Sequence, residues 1–310
     1  MNTFSIAIHG GAGTLLKGQM SDEKEIAYKS ALKSALDKGY EILLGHGHAL
    51  DAVVEAVKIL EDSPLFNAGR GSVFTATGNH EMDASIMEGF GLEAGAVSLI
   101  SGIKNPIKLA RDVMEKSGHV FLAGEGAKQF AKNLGYQTEE DAYFYDALRH
   151  SQWQEIKGSQ HFQLDHQTQK DSKYGTVGAV ACDTFGNLAA GTSTGGMTNK
   201  KWGRIGDSPM IGAGNYANNA TCAVSCTGNG EFFIRGVVAY DVSCLMEYKG
   251  MTLAEATYEV IHHRILKLGG EGGLIAVDTN GNIAMPFNTE GMYRGFQKSN
   301  GDQMIAIYKE

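Results

Sequence analysis

Residues 175–194 read GTVGAVACDTFGNLAAGTST and carry the clearest structural signal in the chain. Two apolar runs, Val177–Cys182 and Leu188–Ser193, flank the turn Asp183–Asn187. Apolar runs of this length around a short turn that contains Asp, Gly and Asn are typical of a β-hairpin. The segment therefore predicts two paired antiparallel strands, the first of which begins directly after Thr176.

The same pattern returns nearer the C-terminus, where Gly273–Val277 and Ile283–Phe287 flank another turn that contains Asp and Gly. Elsewhere the apolar residues recur every three or four positions, which is typical of amphipathic helices that cover a sheet. The predicted helices begin at or near Asp22, Ala49, Pro106, Ala127, Glu231 and Leu253, and further strands are predicted at 4–8, 82–87, 94–100 and 304–308. Hairpins separated by helices predict an α+β fold in which two antiparallel sheets lie between helix layers.

The composition of the 310 residues is that of an ordinary globular protein, with 43% hydrophobic and 20% charged residues. The net charge is −8 and there is no block of basic residues, which argues against a nucleic-acid partner. No apolar stretch is long enough to span a membrane, and the first residues lack the pattern of a secretory signal. We therefore expect a cytoplasmic protein without a membrane partner.

The cysteines and histidines form no metal-binding pattern. The four cysteines lack CxxC spacing, HExxH is absent, and the adjacent His262 and His263 would point about 100° apart on a helix. The cysteines are expected to be buried, reduced thiols. We therefore expect no cofactor in catalysis.

The chain changes character at Gln137. Between Ser151 and Tyr174 there are six glutamines, no Val and no Ala. This stretch is expected to be a surface loop that contributes little to the core. It ends abruptly at Gly175, where the first hairpin begins.

Two residues compete as the candidate nucleophile, and the first is Ser193. Gly191–Gly195 matches the G-x-S-x-G motif of serine hydrolases, and His9-Gly10-Gly11 loosely resembles their oxyanion loop. In that class a helix follows the serine at once, whereas residues 196–203 have no helical periodicity. The serine-hydrolase hypothesis therefore rests on a five-residue match alone.

The second candidate is Thr176. A threonine inside a chain is normally unreactive, but cleavage of the Gly175–Thr176 bond would give it an α-amine with a pKa of about 7.7–8. Such an amine can act at neutral pH as the base for the hydroxyl of the same residue. Thr176 would then supply both the nucleophile and its base.

The motifs around these residues resemble the plant-type asparaginase and isoaspartyl peptidase family of N-terminal-nucleophile (Ntn) threonine hydrolases. They are HGGAG at 9–13, PLFNAG at 64–69, MDAS at 82–85, GTVGAVA at 175–181, GTSTGG at 191–196, GRIGDSP at 203–209, CTGNGE at 226–231 and PFNTEGMYR at 286–294. The resemblance implies a four-layer αββα sandwich formed by a single domain, 1–310. It also implies autocleavage into an α subunit, 1–175, whose end from about 137 is a flexible linker, and a β subunit, 176–310. These would assemble as an (αβ)2 heterotetramer.

The resemblance also implies roles for individual catalytic residues. Thr176 matches the nucleophile of the family, and Thr194 matches the threonine that orients it, which leaves Ser193 on the opposite strand face without a role. The Thr227 hydroxyl and the Gly228 N–H would form the oxyanion hole.

The resemblance also implies that substrate recognition depends on Arg204 and Asp207, three residues apart in a glycine-bounded loop, with help from the Gly230 carbonyl. A guanidinium group pairs with a carboxylate through two hydrogen bonds, and an aspartate accepts from an ammonium group. The pair therefore suits the α-carboxylate and α-amine of an amino acid. With both α groups bound, the cleaved bond lies in the side chain, and the expected substrates are L-asparagine and β-aspartyl (isoaspartyl) dipeptides.

Two further features follow from the resemblance. Asn67, with the Gly10 and Gly11 backbone, would position the Gly175–Thr176 bond for cleavage. A structural sodium ion would be bound by backbone oxygens, which suit a hard cation, and its ligands would be Leu60, Glu61, Ser63, Phe66, Ala68 and Arg70. Arg70 departs from the smaller or apolar residue expected at its position, which puts the local loop shape in doubt.

Two alternatives to this amidohydrolase remain open. They are the serine hydrolase at Ser193 and a non-catalytic amino-acid-binding module that uses Arg204 and Asp207. Glycosylasparaginase is a near relative of the amidohydrolase, but the absence of a secretory signal and the HGGAG motif at 9–13 argue against it.

Overall fold

The computed structural model describes residues 3–158 and 175–309. The strands are β1 (Ser5–Gly13), β2 (Met82–Glu88), β3 (Ala94–Ile100), β4 (Phe121–Ala123), β5 (Val177–Cys182), β6 (Leu188–Thr194), β7 (Asn215–Ala217), β8 (Cys222–Gly228), β9 (Gly272–Asp278), β10 (Ile283–Ala284), β11 (Gly291–Lys298) and β12 (Gln303–Tyr308). The helices are α1 (Asp22–Leu44), α2 (Ala49–Asp62), α3 (Pro106–Lys116), α4 (Gly124–Asn133), α5 (Asp141–Phe144), α6 (Ala147–Ile156), α7 (Gly230–Gly236), α8 (Val238–Lys249), α9 (Leu253–Glu259) and α10 (Leu266–Leu268), with a 3-10 turn at Gly69–Gly71 and a π-helical segment at Val260–Ile265. Across these described ranges, no helix is both long enough and apolar enough to cross a membrane.

The strands form two sheets. The larger has eight strands in the order β12-β11-β1-β5-β6-β2-β3-β4, and the smaller has four in the order β10-β9-β8-β7. Neighbouring strands are antiparallel except β3 and β4, which are parallel. The two predicted hairpins are β5–β6 and β9–β10, and the mixed α+β class predicted from the sequence is confirmed.

Three clusters of buried apolar side chains hold these elements together. The largest joins α1, α2 and α3 to one face of the eight-stranded sheet, with Ile8 and Val177 among its members. A second contains residues of both sheets, such as Val180 from β5 and Ile275 from β9. A third joins the four-stranded sheet to α8 and α9. The two faces of the eight-stranded sheet therefore contact different partners.

Side-chain alternation determines which residues of β5 and β6 face which partner. In β5, Val177 belongs to the cluster that contains the helices and Val180 to the cluster that contains both sheets. In β6, Ala189 and Ala190 divide in the same way. The even-numbered residues of this hairpin therefore face the small sheet, and the odd-numbered residues face the helices.

Several elements differ from the sequence prediction. The N-cap of α1 is Ser21, whose Oγ accepts a hydrogen bond from the Lys24 N–H, rather than Asp22. The helix predicted from Glu231 is divided into α7 and α8 at Val237, whose φ of 47° interrupts the helical path. The pattern does not predict β11, because its residues lack a period-two alternation, yet this strand pairs with β1.

The segment after Gln137 contributes more to the core than its composition predicts. It forms the short helices α5 and α6, in which Phe144 and Trp153 are buried. The Trp153 ring stacks on Phe74 with 5.5 Å between the ring centroids. Large aromatic rings can therefore be buried in a segment whose average composition is polar. The rest of the expected loop, residues 159–174, lies outside the described residues.

Gly39 tests how closely α1 packs on α2. An added Cβ at Gly39 would lie 3.1 Å from the Ala52 carbonyl oxygen and would collide with the Ile6 side chain. Although Ala is normally the better helix former, Gly39→Ala is expected to lower the free energy of unfolding by about 1–3 kcal/mol.

The matched control is Gly126→Ala in α4, where nothing lies within 4 Å of the added Cβ. This change should raise the free energy of unfolding by about 0.5–1 kcal/mol. Urea or thermal unfolding of the two variants measures both effects. A Gly39→Ala variant as stable as the control would contradict the close packing.

Candidate active site

Thr176 immediately precedes β5, on the side of the large sheet that faces the small sheet. Its Oγ1 donates a hydrogen bond of 3.3 Å to Oγ1 of Thr194 in β6. The Thr194 oxygen also accepts a 3.0 Å hydrogen bond from the Gly196 N–H, and Thr194 is only 4% exposed. The fold thus brings the two predicted threonines together and holds Thr194 in a fixed orientation beside the Thr176 hydroxyl.

Asn67 lies against this pair. Its Nδ2 donates a 2.7 Å hydrogen bond to the Gly196 carbonyl, and its own carbonyl accepts one of 2.9 Å from the Gly195 N–H. A Cβ at Gly175 would collide with the Asn67 side chain. Asn67 therefore contacts both the residue before the candidate nucleophile and the loop after β6.

His9 in β1 contacts the main chain of Thr176. Its Nδ1 lies 3.1 Å from the Thr176 carbonyl oxygen, and its Nε2 lies 2.9 Å from Oγ of Ser225 in β8. Burial lowers the pKa of His9 to about 3, against the opposing effect of its hydrogen bond to Thr176. The imidazole is therefore neutral. The sequence motif points to His9, but nothing in the local pattern identifies Ser225 as its partner.

Gly10 and Gly11 lie next to His9, at a bulge where β1 shifts its register against β11. Gly10 packs against the Phe66 and Tyr293 side chains so closely that a Cβ would collide with the Phe66 ring. The two glycines thus connect the strand that carries His9 to the loop that carries Asn67.

The two predicted oxyanion-hole residues end β8. Thr227 is 2% exposed. It comes two residues after Ser225, which is hydrogen-bonded to His9, and therefore lies on the same face of β8. Gly228 has a φ of 154°, and an added Cβ would lie 2.8 Å from Gly272 Cα. Only glycine fits this position, because both the backbone conformation and the close approach of β9 exclude a side chain.

Arg204, Asp207 and Gly230 come together at the N-terminus of α7. An added Cβ at Gly230 would lie 2.9 Å from Arg204 Nη2 and 3.0 Å from Asp207 Oδ1. The Arg204 guanidinium already binds a carboxylate, because its Nε and Nη2 each donate a 2.9 Å hydrogen bond to Glu231. Sequence reasoning missed Glu231, although it directly follows Gly230 in the CTGNGE motif.

The two carboxylates of this cluster differ in their electrostatics. Asp207 is 4% exposed, and its Oδ2 has no hydrogen-bond partner among the residues that the structure describes. Burial raises the pKa of Asp207 to about 7, although the charge of Arg204 opposes this. Burial would also raise the pKa of Glu231, but the hydrogen bonds and charge of Arg204 hold it below its usual value. The unpaired oxygen of Asp207 is a place for a charged donor from a ligand.

The Ser193 side chain faces away from the Thr176 and Thr194 hydroxyls. Ser193 is fully buried in β6 at an odd-numbered position, so its side chain faces the helices rather than the small sheet. Within the described range 175–309, the first helix after β6 is α7, which begins at Gly230. A nucleophile elbow needs an exposed serine followed by a helix, and the structure provides neither.

In the loop at residues 60–71 the main chain approaches itself closely, and an added Cβ at Gly71 would collide with the Phe66 carbonyl oxygen. Gly69, with a φ of 52°, lies so close to the Glu61 carbonyl oxygen that a Cβ would collide with it. The exposed Arg70 side chain lies over the Tyr143 ring, with its guanidinium carbon 5.6 Å from the ring centroid. The length of the Arg70 side chain is therefore accommodated outside the loop.

A mixed α+β fold that pairs two threonine hydroxyls and places Arg204 near the buried Asp207 is consistent with a threonine-type hydrolase. The family model described as asparaginase matches residues 2–307. An isoaspartyl peptidase of Salmonella typhimurium is 50% identical and covers 100% of both chains. One of Escherichia coli is 51% identical over 98% of this chain and 96% of its own, and a plant-type L-asparaginase of Pyrococcus abyssi is 42% identical over 95% and 96%. The chain therefore belongs to the asparaginase family.

Asp207→Asn tests the energetic cost of burying this carboxylate. Because burial raises the pKa of Asp207 from 3.8 to about 7, the folded protein loses stability as the pH rises from about 4 to about 7, and the loss persists above pH 7. The neutral amide removes the effect. The variant should melt several degrees above the wild type at pH 8, and by a smaller margin at pH 5.

Scanning calorimetry at the two pH values measures the difference. Asp37→Asn is the control, because Asp37 is an exposed aspartate whose side chain is 50% accessible. An Asp207→Asn variant that melts below the wild type at pH 8 would show that the charge of Asp207 is fully compensated in the fold.

Proposed function

We propose that this protein is an autoprocessing amidohydrolase that uses Thr176 to cleave the side-chain amide of L-asparagine and the β-linked bond of isoaspartyl dipeptides. The observation that carries the proposal is the 3.3 Å hydrogen bond between the Thr176 and Thr194 hydroxyls. Thr176 directly follows Gly175 and immediately precedes the buried strand β5. Similarity over the whole length to proteins named isoaspartyl peptidase and plant-type L-asparaginase supports the same activity and substrates.

The proposal includes the fold and its processing. Three buried clusters, one between the sheets and one on each outer face, support the four-layer αββα sandwich of the Ntn hydrolases as a single domain, 1–310. Cleavage before Thr176 would give an α subunit, 1–175, and a β subunit, 176–310. The residues from about 137, expected to form a flexible linker, include the helices α5 and α6.

In this cleavage the Thr176 hydroxyl oxygen attacks the Gly175 carbonyl carbon, and the peptide nitrogen leaves to become the new α-amine. Water then hydrolyses the ester that joins the two residues. Asn67, which lies against Gly175, and the backbone of Gly10 and Gly11 would hold the bond in position. Proximity alone accelerates such an intramolecular attack by several orders of magnitude.

In the mature enzyme the α-amine of Thr176 takes the proton from its own Oγ1, which attacks the side-chain carbonyl carbon of the substrate. Thr194 orients the nucleophile, and the Thr227 hydroxyl and Gly228 N–H stabilise the oxyanion. Ammonia, or the amine of the second amino acid, leaves with the proton. Water then hydrolyses the β-aspartyl ester. These groups supply the whole reaction, and the proposal includes no catalytic cofactor.

The substrate head group would bind where Arg204, Asp207 and Gly230 meet. Arg204 takes the α-carboxylate, while Asp207 and the Gly230 carbonyl take the α-ammonium. The two hydrogen bonds from Arg204 to Glu231 support the ability of this guanidinium to bind a carboxylate in a two-point geometry, and the α-carboxylate would replace Glu231 on Nε and Nη2. An ammonium group beside Asp207 would favour the ionised form of this carboxylate and would provide a hydrogen-bond donor for its unpaired Oδ2.

A structural sodium ion forms part of the proposal. Its ligands would be the backbone oxygens of Leu60, Glu61, Ser63, Phe66, Ala68 and Arg70. The close approach of Gly69 to the Glu61 carbonyl, one of the proposed ligands, and the exposed position of the Arg70 side chain support this site. Its place in the fold is the loop that carries Asn67, so the ion would act on the cleavage site by shaping this loop.

We further propose that the protein works in the cytoplasm as an (αβ)2 heterotetramer on small-molecule substrates. The net charge of −8 supports the absence of a nucleic-acid partner. No membrane partner is proposed.

Gel electrophoresis of the purified protein tests the processing. The expected fragments contain 175 and 135 residues and should migrate at about 19 and 14 kDa, scaled from 33.2 kDa for the chain. N-terminal sequencing of the smaller fragment should give Thr-Val-Gly-Ala-Val, because the α-amine of Thr176 must be released before it can act as a base. Full activity in a permanently uncut chain would overturn the mechanism.

The paired variants Thr176→Ala and Ser193→Ala separate the two candidate nucleophiles. Thr176→Ala should abolish both cleavage and hydrolysis, whereas Ser193→Ala should cleave and hydrolyse at rates near those of the wild type. The reverse result would support a serine hydrolase. The two changes each remove one hydroxyl from the same hairpin, so a general effect on folding would appear in both.

Arg204→Lys tests the recognition of the α-carboxylate. The variant keeps the charge but loses the two-point geometry, so kcat/KM for asparagine should fall about ten- to a hundredfold. Hydrolysis of asparagine, its α-amidated and N-acetylated forms, and an α-aspartyl dipeptide is compared in parallel. Equal rates on all four would show that Arg204 and Asp207 do not bind the head group. Tight binding without product release would favour the amino-acid-binding module.

A further inference from the structure

A chain of buried hydrogen bonds leads from Thr176 to the small sheet through His9, which the reaction above does not use. His9 Nδ1 lies 3.1 Å from the Thr176 carbonyl oxygen, and His9 Nε2 lies 2.9 Å from Ser225 Oγ. Ser225 Oγ lies 2.7 Å from Thr192 Oγ1, which lies 3.1 Å from the Gly214 carbonyl oxygen. His9, Thr192 and Ser225 are all fully buried.

The direction of each bond follows from the groups at the two ends. A carbonyl oxygen can only accept, so Nδ1 of His9 carries the proton and donates it to Thr176. Burial keeps the imidazole neutral by lowering the pKa of His9, so Nε2 has a lone pair and accepts from the Ser225 hydroxyl. The Ser225 proton is then used, so the single Thr192 proton goes to the Ser225 oxygen at 2.7 Å rather than to the Gly214 carbonyl at 3.1 Å. Ser225 also lies 3.3 Å from the Gly191 carbonyl, but the shorter contact to Nε2 satisfies a group that would otherwise be buried without a donor.

The space for this contact is created by a glycine. Gly178 in β5 pairs with His9 in β1, and a Cβ at Gly178 would collide with both Ser225 Oγ and His9 Nε2. The residue opposite His9 must therefore lack a side chain if the imidazole is to reach from the large sheet to the small one.

We propose that His9 is a positioning residue that binds the main chain of Thr176 and, through Ser225, fixes its distance from Thr227 and Gly228. Ser225 and Thr227 are two residues apart on the same face of β8, so a bond that locates one locates the other. The nucleophile and the oxyanion donors belong to different sheets. Thr192 in β6 also bonds to Ser225, but His9 joins Ser225 to the main chain of Thr176 itself. A misplacement of about 1 Å at such a site can reduce turnover about a hundredfold. This inference rests on the proposed function.

The first test removes the connection between the sheets and keeps His9. Ser225→Ala should lower kcat for asparagine about ten- to a hundredfold and change KM by less than about threefold, because Arg204 and Asp207 still bind the head group. The matched control is Ser243→Ala, which removes another fully buried serine hydroxyl, bonded to Thr221 Oγ1 at 2.6 Å on the opposite end of β8. Each rate is divided by the concentration of chains that have a free Thr176 N-terminus, so that incomplete cleavage does not lower the apparent kcat.

The second test keeps the bond to Thr176 and loses the bond to Ser225. Asn at position 9 can place an amide donor near the position of Nδ1 but is too short to reach Ser225. His9→Asn should therefore retain more activity than His9→Ala and lose no more than Ser225→Ala. In the double variant His9→Asn with Ser225→Ala, the second change should lower kcat by a smaller factor than it does in the wild type, because only the bond between Thr192 and Ser225 is left for it to remove.

The outcomes distinguish this inference from the proposed function. A wild-type protein that hydrolyses neither asparagine nor a β-aspartyl dipeptide would refute the proposed function itself. If the wild type is active, a Ser225→Ala variant with the kcat of Ser243→Ala would refute the role of His9. Effects of His9→Asn and Ser225→Ala that multiply in the double variant would do the same, since the two residues would then act independently. If His9→Ala does not fold, the Asn and Ala variants at positions 9 and 225 still decide the question.

Discussion

The candidate active site depends on the alternation of side chains along one β-hairpin. Odd-numbered residues of β5, such as Val177, are buried against the helices, and this burial fixes the even-numbered positions toward the second sheet. Thr176 and Thr194 share that direction and can therefore meet. A slip of one residue would place a threonine among apolar side chains and a valine in the site. The hydrophobic packing on one face of the sheet thus determines the chemistry on the other face.

Burial also determines the electrostatics of the site. His9 and Asp207 are both shielded from water, and in both cases the charged form is disfavoured. The consequences differ because their surroundings differ. His9 has a partner on each ring nitrogen, so its neutral form completes a network. One oxygen of Asp207 has no partner among the described residues. A satisfied group fixes geometry, whereas an unsatisfied group prepares the site for a ligand of opposite charge.

Sequence pattern predicted the parts of the fold that depend on local chemistry, such as the hairpin at 177–194 and the helix at Ala49, and its motifs pointed to Thr176 and Thr194. It did not predict contacts that join distant segments. His9 and Ser225 are 216 positions apart, and only the packing of two sheets brings them together. The Glu231 carboxylate meets Arg204 across 27 residues, with no periodicity to indicate it. The burial of Trp153 was not predicted because its sequence neighbours are polar, yet one aromatic ring can be buried in a segment whose average composition is hydrophilic.

The strand order of the large sheet interleaves segments from both sides of residue 175. β1 lies between β11 and β5, and β6 pairs with β2, so strands from before and after that point meet at three boundaries. A chain cut there would lose one peptide bond, yet neither fragment could depart without breaking three rows of main-chain hydrogen bonds. Once apart, the fragments could rejoin only in a bimolecular reaction. The lifetime of the processed molecule would then be governed by its rate of unfolding rather than by an equilibrium between folded and unfolded states.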